Sequence, residues 1–249
     1  MAKVSAGSYD LNKWMHGGYD CDIITTIYGG AGTGKTNFCL LAAVSQAKKG
    51  NKVIYIDTEG GFSSERVKQM LGKEDEKYEE VLKNIFILKP TNFKEQKQAF
   101  KKLLEYLKIQ SLNVSRSSKT KNDISFIIVD GMTMLYRLDF ADAREKDGKN
   151  GDNGEVQKTN NELVRQMRIL AEIARKRGIP VVVTNQIYNW EDSERMVAGD
   201  ILKYWSKCLI ELTNNGGRRT AMMKKHRSLP EKSFTFQIFD EGVRKRGWI

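Results

Sequence analysis

Gly29-Gly30-Ala31-Gly32-Thr33-Gly34-Lys35-Thr36 sets four glycines, a lysine and two hydroxyl side chains within eight consecutive residues. The spacing is G-x-x-x-x-G-K-[ST], and its chemistry is phosphate binding. Glycines let backbone N–H groups turn inward around phosphate oxygens, and a helix starting at the same point adds positive potential. Lys35 reaches the β- and γ-phosphates of a nucleotide, while the Thr36 hydroxyl ligates Mg²⁺. The segment therefore predicts a site for ATP and Mg²⁺. A purely structural glycine turn has no use for the Lys35-Thr36 pair.

Three other strand-like runs end in groups that fit beside such a loop. Ser125-Phe-Ile-Ile-Val-Asp130 is apolar and ends in a carboxylate, where a second Mg²⁺ ligand acts directly or through water. Tyr55-Ile56-Asp57-Thr58-Glu59-Gly60-Gly61 delivers two acids to the edge where ligands of open α/β sheets gather. Glu59 is the candidate to orient and deprotonate an attacking water; the alternative is a turn acid that caps the next helix. Val181-Val-Val-Thr184-Asn185-Gln186 ends in two amides, and Gln186 is a candidate sensor of the γ-phosphate. A polar strand end without a role is the competing reading.

These residues need a sheet to hold them. Strands are expected at Ile23–Tyr28, Lys52–Asp57, Ile85–Leu88, Ile124–Asp130 and Val181–Asn185. Helices are expected at Thr36–Lys48, at Phe93–Lys108 with Asn92 as N-cap and Glu95 three residues on, and at Val156–Arg177 closed by Gly178. Leu163, Met167, Leu170 and Ala174 form one helical stripe in the last of these and read as core. After residue 206 the runs Lys207–Thr213, Thr220–Lys225 and Ser233–Phe239 read as an antiparallel extension, with Asn214-Asn215-Gly216-Gly217 turning between the first two. Asn113–Asp123 and Asp139–Gly154 are too polar to predict regular structure. The alternation predicts an α/β fold with a mostly parallel central sheet and helices on both faces.

Composition narrows the class further. A chain of 249 residues with 40% apolar and 29% charged content reads as one domain, 1–249, and no run approaches the roughly 20 apolar residues a bilayer requires. No secretory leader is visible at the N-terminus, so the cytosol is the expected compartment. Cys21, Cys39 and Cys208 are far apart and read as reduced thiols, and two histidines make a His-rich metal site implausible. The formal charge of +11 favours a polyanionic partner such as nucleic acid, although a solvated lysine-rich surface explains it equally.

Together the phosphate loop, YIDTEGGF at 55–62, FIIVDGMTMLYR at 126–137 and VVVTNQ at 181–186 resemble the ATPase core of RecA-type recombinases, above all the archaeal RadA and RadB branches. The resemblance runs from about Tyr9 to the C-terminus. It implies that Glu59 is the catalytic glutamate, that Gln186 senses the γ-phosphate and that Arg66 neighbours the adenine. It also implies DNA as a partner, sequence-independent and single-stranded, recombination proteins as further partners, and a nucleoid-associated location in the cytoplasm. About eight residues, Met1 to Ser8, precede the core, without the helix-hairpin-helix domain or Phe-x-x-Ala element of RadA-like proteins. That favours the RadB branch and argues against a long filament, while smaller oligomers stay possible. Asp22 stands where RadB-like sequences usually have glycine.

In this family two loops face DNA, here about Arg137–Glu155 and Ile187–Asp200. Arg137, Arg144 and Lys146 are the candidate contacts in the first, although acids make it nearly neutral. The densest basic run holds Arg218, Arg219, Lys224, Lys225, His226 and Arg227, with Arg244, Lys245 and Arg246 following. Arg218, Arg219 and Arg246 are candidate DNA contacts. The resemblance places the Lys225–Arg227 strand end at a subunit interface, where either cation reaches a neighbour's γ-phosphate; phosphate contact with DNA is the alternative. The expected function is an ATP-binding, weakly hydrolysing protein assisting recombination and repair. A KaiC-type ATPase indifferent to DNA and a nucleotide-gated binding module without turnover are the rivals. An Arg-rich kinase lid and the Asn-Lys-x-Asp element of GTPases are both missing from the sequence.

Overall fold

The computed structural model describes residues 2–113, 123–151, 153–190 and 193–247. In chain order the elements begin with β1 (Lys3–Val4), α1 (Tyr9–Trp14), β2 (Tyr19–Asp20), β3 (Ile24–Gly29), α2 (Lys35–Ala47) and β4 (Lys52–Asp57). Next come α3 (Ser64–Leu71), a 3-10 turn, α4 (Tyr78–Lys83), β5 (Ile85–Leu88), α5 (Phe93–Asn113), β6 (Ile124–Asp130), α6 (Met134–Asn150) and α7 (Gly154–Arg177). The chain closes with β7 (Val181–Trp190), β8 (Ser193–Met196), α8 (Gly199–Trp205), β9 (Cys208–Asn215), β10 (Arg218–His226), β11 (Lys232–Phe239) and β12 (Gly242–Lys245).

Nine strands follow one another in the order β12-β11-β10-β9-β3-β7-β6-β4-β5, and β8 pairs with the outer end of β7. The six from β9 to β5 run parallel, and β10, β11 and β12 extend them antiparallel. This is the RecA-like α/β architecture that the sequence predicts. Central strands read as continuous apolar runs because both faces are covered. Alternation sorts them: Tyr55, Phe126, Ile128 and Val182 enter one core beneath α2, α3 and α4, whereas Ile54, Ile56, Ile127, Val129 and Val183 enter the other. Leu103, Leu163, Met167 and Leu170 complete that second core from α5 and α7.

Local signals explain most boundaries. Gly178 closes α7 with φ of 62°, a left-handed conformation that favours glycine. Gly216 and Gly217, both with positive φ, form the two-residue turn, so Asn214 and Asn215 remain in β9. At α5, Asn92 Oδ1 accepts the Glu95 N–H at 2.9 Å, but Glu95 returns its carboxylate to Thr91 rather than to Asn92.

Two expectations need correction. Asp139–Gly154 is almost wholly helical, because Tyr136, Phe140, Ala143 and Asp147 make a narrow inward stripe at helical spacing and Tyr136 Oη donates to Asn160 Oδ1 of α7 at 2.6 Å. Ile187–Asp200 is not a loop either: β7 continues to Trp190, pairs antiparallel with β8, and α8 begins at Gly199. Glu191, Asp192 and most of the expected 113–123 loop lie outside the described residues.

Buried Asp147 reaches across the α6–α7 junction and accepts the N–H groups of Glu155 and Val156 at 3.1 and 2.9 Å. Asp147→Ala leaves two first-turn donors of α7 without this partner and is expected to lower unfolding free energy by about 1–2 kcal/mol. Urea denaturation followed by circular dichroism reads it; an unchanged midpoint refutes this capping role.

Candidate nucleotide site

The phosphate loop joins the carboxyl end of β3 to α2, which starts at Lys35. Gly29, Gly32 and Gly34 have φ of 154°, 70° and 108°. A Cβ on Gly29 falls 2.1 Å from the Leu212 carbonyl oxygen, while Gly30 and Gly32 have open space where a side chain would project. Glycine thus serves close strand packing at the base of the loop and a bare backbone at its crest. Thr33 Oγ1 donates to the Gly30 carbonyl at 2.9 Å. The buried Lys35 ammonium donates to the Gly29 and Gly30 carbonyls at 2.9 and 2.8 Å. Lost hydration lowers its pKa, and the Glu59 and Asp130 carboxylates oppose that shift.

Asp130, only 1% exposed, ends β6 two strands away. Its Oδ1 accepts the Thr184 hydroxyl at 2.6 Å and its Oδ2 the Tyr55 hydroxyl at 2.8 Å. Burial, then the Asp130 charge, pushes the Tyr55 pKa well up, so the phenol stays protonated and donates. A methyl group built on Gly61 lies 3.2 Å from Thr36 Oγ1 and 3.8 Å from Asp130 Oδ2, so both oxygens border one small space closed by a glycine. One hydroxyl, one carboxylate and nucleotide oxygens form a donor set that suits Mg²⁺. Among the described residues no cluster of three His, Cys, Asp or Glu offers an all-protein alternative.

Asp57 and Glu59 have different surroundings. Asp57 accepts the Gly61 and Phe62 N–H groups at 3.0 and 3.1 Å and so shapes the loop. Glu59 stands at the exposed rim, where Gln186 Nε2 donates to its Oε2 at 2.9 Å. Partial loss of water raises the Glu59 pKa, the Gln186 contact lowers it and the Asp130 charge raises it again. The site thus brings Lys35, Thr36, Glu59, Asp130 and Gln186 to the carboxyl edge of four neighbouring strands. Arg66, on α3, donates to Asn37, Gln69 and the carbonyls of Phe239 and Asp240, and so fastens the β11–β12 turn.

The basic candidates separate by register. Arg219 lies at the edge of the phosphate loop, with its Nε 3.4 Å from the Gly32 carbonyl. Lys225 and His226 pair with Leu209 and Cys208, level with Thr26 and Thr25 at the opposite end of β3. Lys225 donates to the Lys203 and Ser206 carbonyls, both at 2.9 Å. Arg227 forks onto Asp22 at 2.6 and 2.5 Å, which gives the departure at that position a partner. Arg137, Arg144 and Lys146 are exposed on α6, with the Arg137 guanidinium 6.0 Å from the Tyr188 ring. Arg218 and Arg246 line one cleft on the antiparallel extension.

Sequence reading missed Tyr55, Thr184 and Asn185. Their signal is a hydrogen-bonding side chain inside a run otherwise buried on both faces, which must find a partner. Asn185 donates to the Val197 carbonyl at 2.8 Å and accepts the Gln186 N–H at 3.0 Å.

A strand, a glycine loop with Lys35 and Thr36, and a flanking strand-end carboxylate in this sheet order define a RecA-like P-loop core. The chain belongs to the Rad51 family, whose model matches residues 1–246. It is 36% identical to the DNA repair and recombination protein RadB of Methanobrevibacter smithii, over 94% of this chain and 92% of that one. With the protein of the same name from Methanococcoides burtonii it shares 37% identity over 94% of each. A crystal structure of the RadB recombinase superposes with a TM-score of 0.74 at 30% identity, covering 98% of this chain and all of that one.

Beside the far end of β10, His226 Nε2 lies 3.2 Å from buried Asp20, and its Nδ1 accepts the Ser228 and Leu229 N–H groups, both at 3.1 Å. Burial, opposed by Asp20, holds the His226 pKa below the ordinary 6.5. The unfolded chain then binds a proton that the folded chain does not, so stability falls as pH drops below about 6.5. Urea midpoints between pH 7.5 and 5.5 are expected to fall more steeply for the unaltered chain than for His226→Gln; equal slopes refute this.

Proposed function

We propose that the chain is an ATP-binding, weakly hydrolysing, DNA-binding protein that assists homologous recombination and DNA repair, acting in the cytoplasm as one RecA-like unit. The observation that carries this reading is the contact between Glu59 and Gln186 above the phosphate loop, in a chain of the Rad51 family. Gly29 to Thr36 cradle the nucleotide phosphates, Lys35 contacts the β- and γ-oxygens, and Thr36 with Asp130 holds Mg²⁺. Mg²⁺, when bound, neutralises charge developing on the phosphates. Tyr55 and Thr184 fix the Asp130 carboxylate in a single orientation. Glu59 orients a water and takes its proton, and Gln186 links that base to the following hairpin. A base already engaged by an amide supports slow turnover. DNA enters through the +11 charge and through Arg218 and Arg246, neither of them ion-paired among the described residues, contacts that read backbone phosphates rather than sequence.

Replacing Glu59 by Gln keeps shape and polarity and removes the base. ATP is expected to bind Glu59→Gln normally while turnover falls by about 10²-fold or more. In the unaltered chain, activity should be present at high pH and be lost as pH falls through a Glu59 pKa displaced above the ordinary glutamate value, a limb absent from the variant. Equal turnover in both proteins refutes the assignment of Glu59. Binding to single-stranded DNA, read by anisotropy across a salt series, should give a log–log slope near −3 for about four phosphate contacts. No binding at low salt with ATP present leaves a KaiC-type ATPase as the better reading.

A further inference from the structure

A cleft of about 630 Å³ opens on the flank of the antiparallel extension, lined by Lys13 and Trp14 of α1, Arg218 of β10, Phe234 of β11, Lys245 of β12 and the adjoining Arg246. Four cations from three elements, α1, β10 and the end of β12, converge there. Among the described residues none of the four is ion-paired with a carboxylate. Asp10 also lies on the wall, and its Oδ2 accepts the Lys245 backbone N–H at 2.7 Å. Four cations against one carboxylate leave an excess of positive charge that draws an anion carrying several spaced charges rather than one.

Trp14 lines the same cleft at 8% exposure, its ring stacked on Phe234 with centroids 5.7 Å apart, so the cations stand beside an aromatic wall.

We propose that this cleft seats the backbone of single-stranded DNA, with phosphates held by Lys13, Arg218, Lys245 and Arg246. The proposal rests on the DNA-binding reading above and locates it away from the expected loops on α6 and the β7–β8 hairpin. Arg218 and Arg219 are consecutive on β10 and so project to opposite faces, one into the cleft and one to the Gly32 carbonyl of the phosphate loop. DNA and nucleotide thereby share a strand.

The test titrates fluorescein-labelled oligothymidylate against the full chain over a salt series, with thermal midpoint and ATP affinity measured alongside. In Lys13→Ala/Lys245→Ala the log–log slope should be shallower by about 1.4, or 0.7 per lost phosphate contact, with ATP affinity unchanged. Arg137→Ala/Arg144→Ala should retain the original slope. A wild-type slope in the Lys13/Lys245 variant, with flattening in the Arg137/Arg144 variant, overturns the cleft and leaves the DNA reading intact. No binding by the unaltered chain overturns both.

Discussion

A sheet covered on both faces has no room for unpartnered polar groups within its strands, so chemistry has to sit where the strands end. Asp130 is the point on which that constraint bears hardest. Burying a carboxylate costs several kcal/mol unless donors replace its water. Tyr55 on β4 and Thr184 on β7 supply one donor to each oxygen, and they flank β6 on either side. The carboxylate therefore pins three neighbouring strands at one level, and its Oδ2 borders the space beside Gly61 that Thr36 Oγ1 also borders. A hydroxyl from the next loop repeats the device, for Thr58 Oγ1 donates to the Gly131 carbonyl and accepts the Gly131 N–H.

From that fixed point the mobile chemistry branches outward. Glu59 is tied to Gln186, Gln186 follows Asn185, and Asn185 grips Val197 just beyond β8. The Val197 N–H also returns to the Gln186 carbonyl at 3.2 Å. The residue whose side chain meets Glu59 is thus also the one whose carbonyl closes the base of the β7–β8 hairpin.

How much was legible from sequence follows the same physics. Strands β4, β5 and β6 matched their expected limits because an apolar run between polar flanks admits one reading. The place of the phosphate-loop sequence between β3 and α2, and of Asp130 at the end of β6, was legible because the motif fixes its residues and spacing and an apolar run ends at the acid. By contrast, α6 was illegible: five inward residues among many charged ones give a weak pattern, and its helix is settled by Asn160 and Asp147 contacts that only folding creates. The division of labour between Asp57 and Glu59 was equally hidden. Both are acids two residues apart, and which one the backbone consumes depends on how the loop at 60–62 turns.

Net charge was the least informative quantity, because register disperses it. One strand, β10, carries Arg219 to the phosphate loop, Arg218 to the flank and Lys225 to the opposite end of the sheet, so these cations serve three surfaces rather than one patch. The strand's far end also differs in how firmly its groups are held. Arg227 and Asp22 are partly exposed, and an ion pair in that setting contributes about 1 kcal/mol or less after solvent screening, but the Arg227 Nε also lies 3.5 Å from buried Asp20. Lys225 is a harder case, since its two carbonyl partners are fixed backbone at the end of α8. With the parent sheet some four residues long between Thr25 and Gly29, neither cation reaches this chain's own phosphate loop, roughly 13 Å away along the strand. A γ-phosphate contact by Arg227 therefore requires a second molecule, and making it takes the guanidinium from buried Asp20 as well as from exposed Asp22.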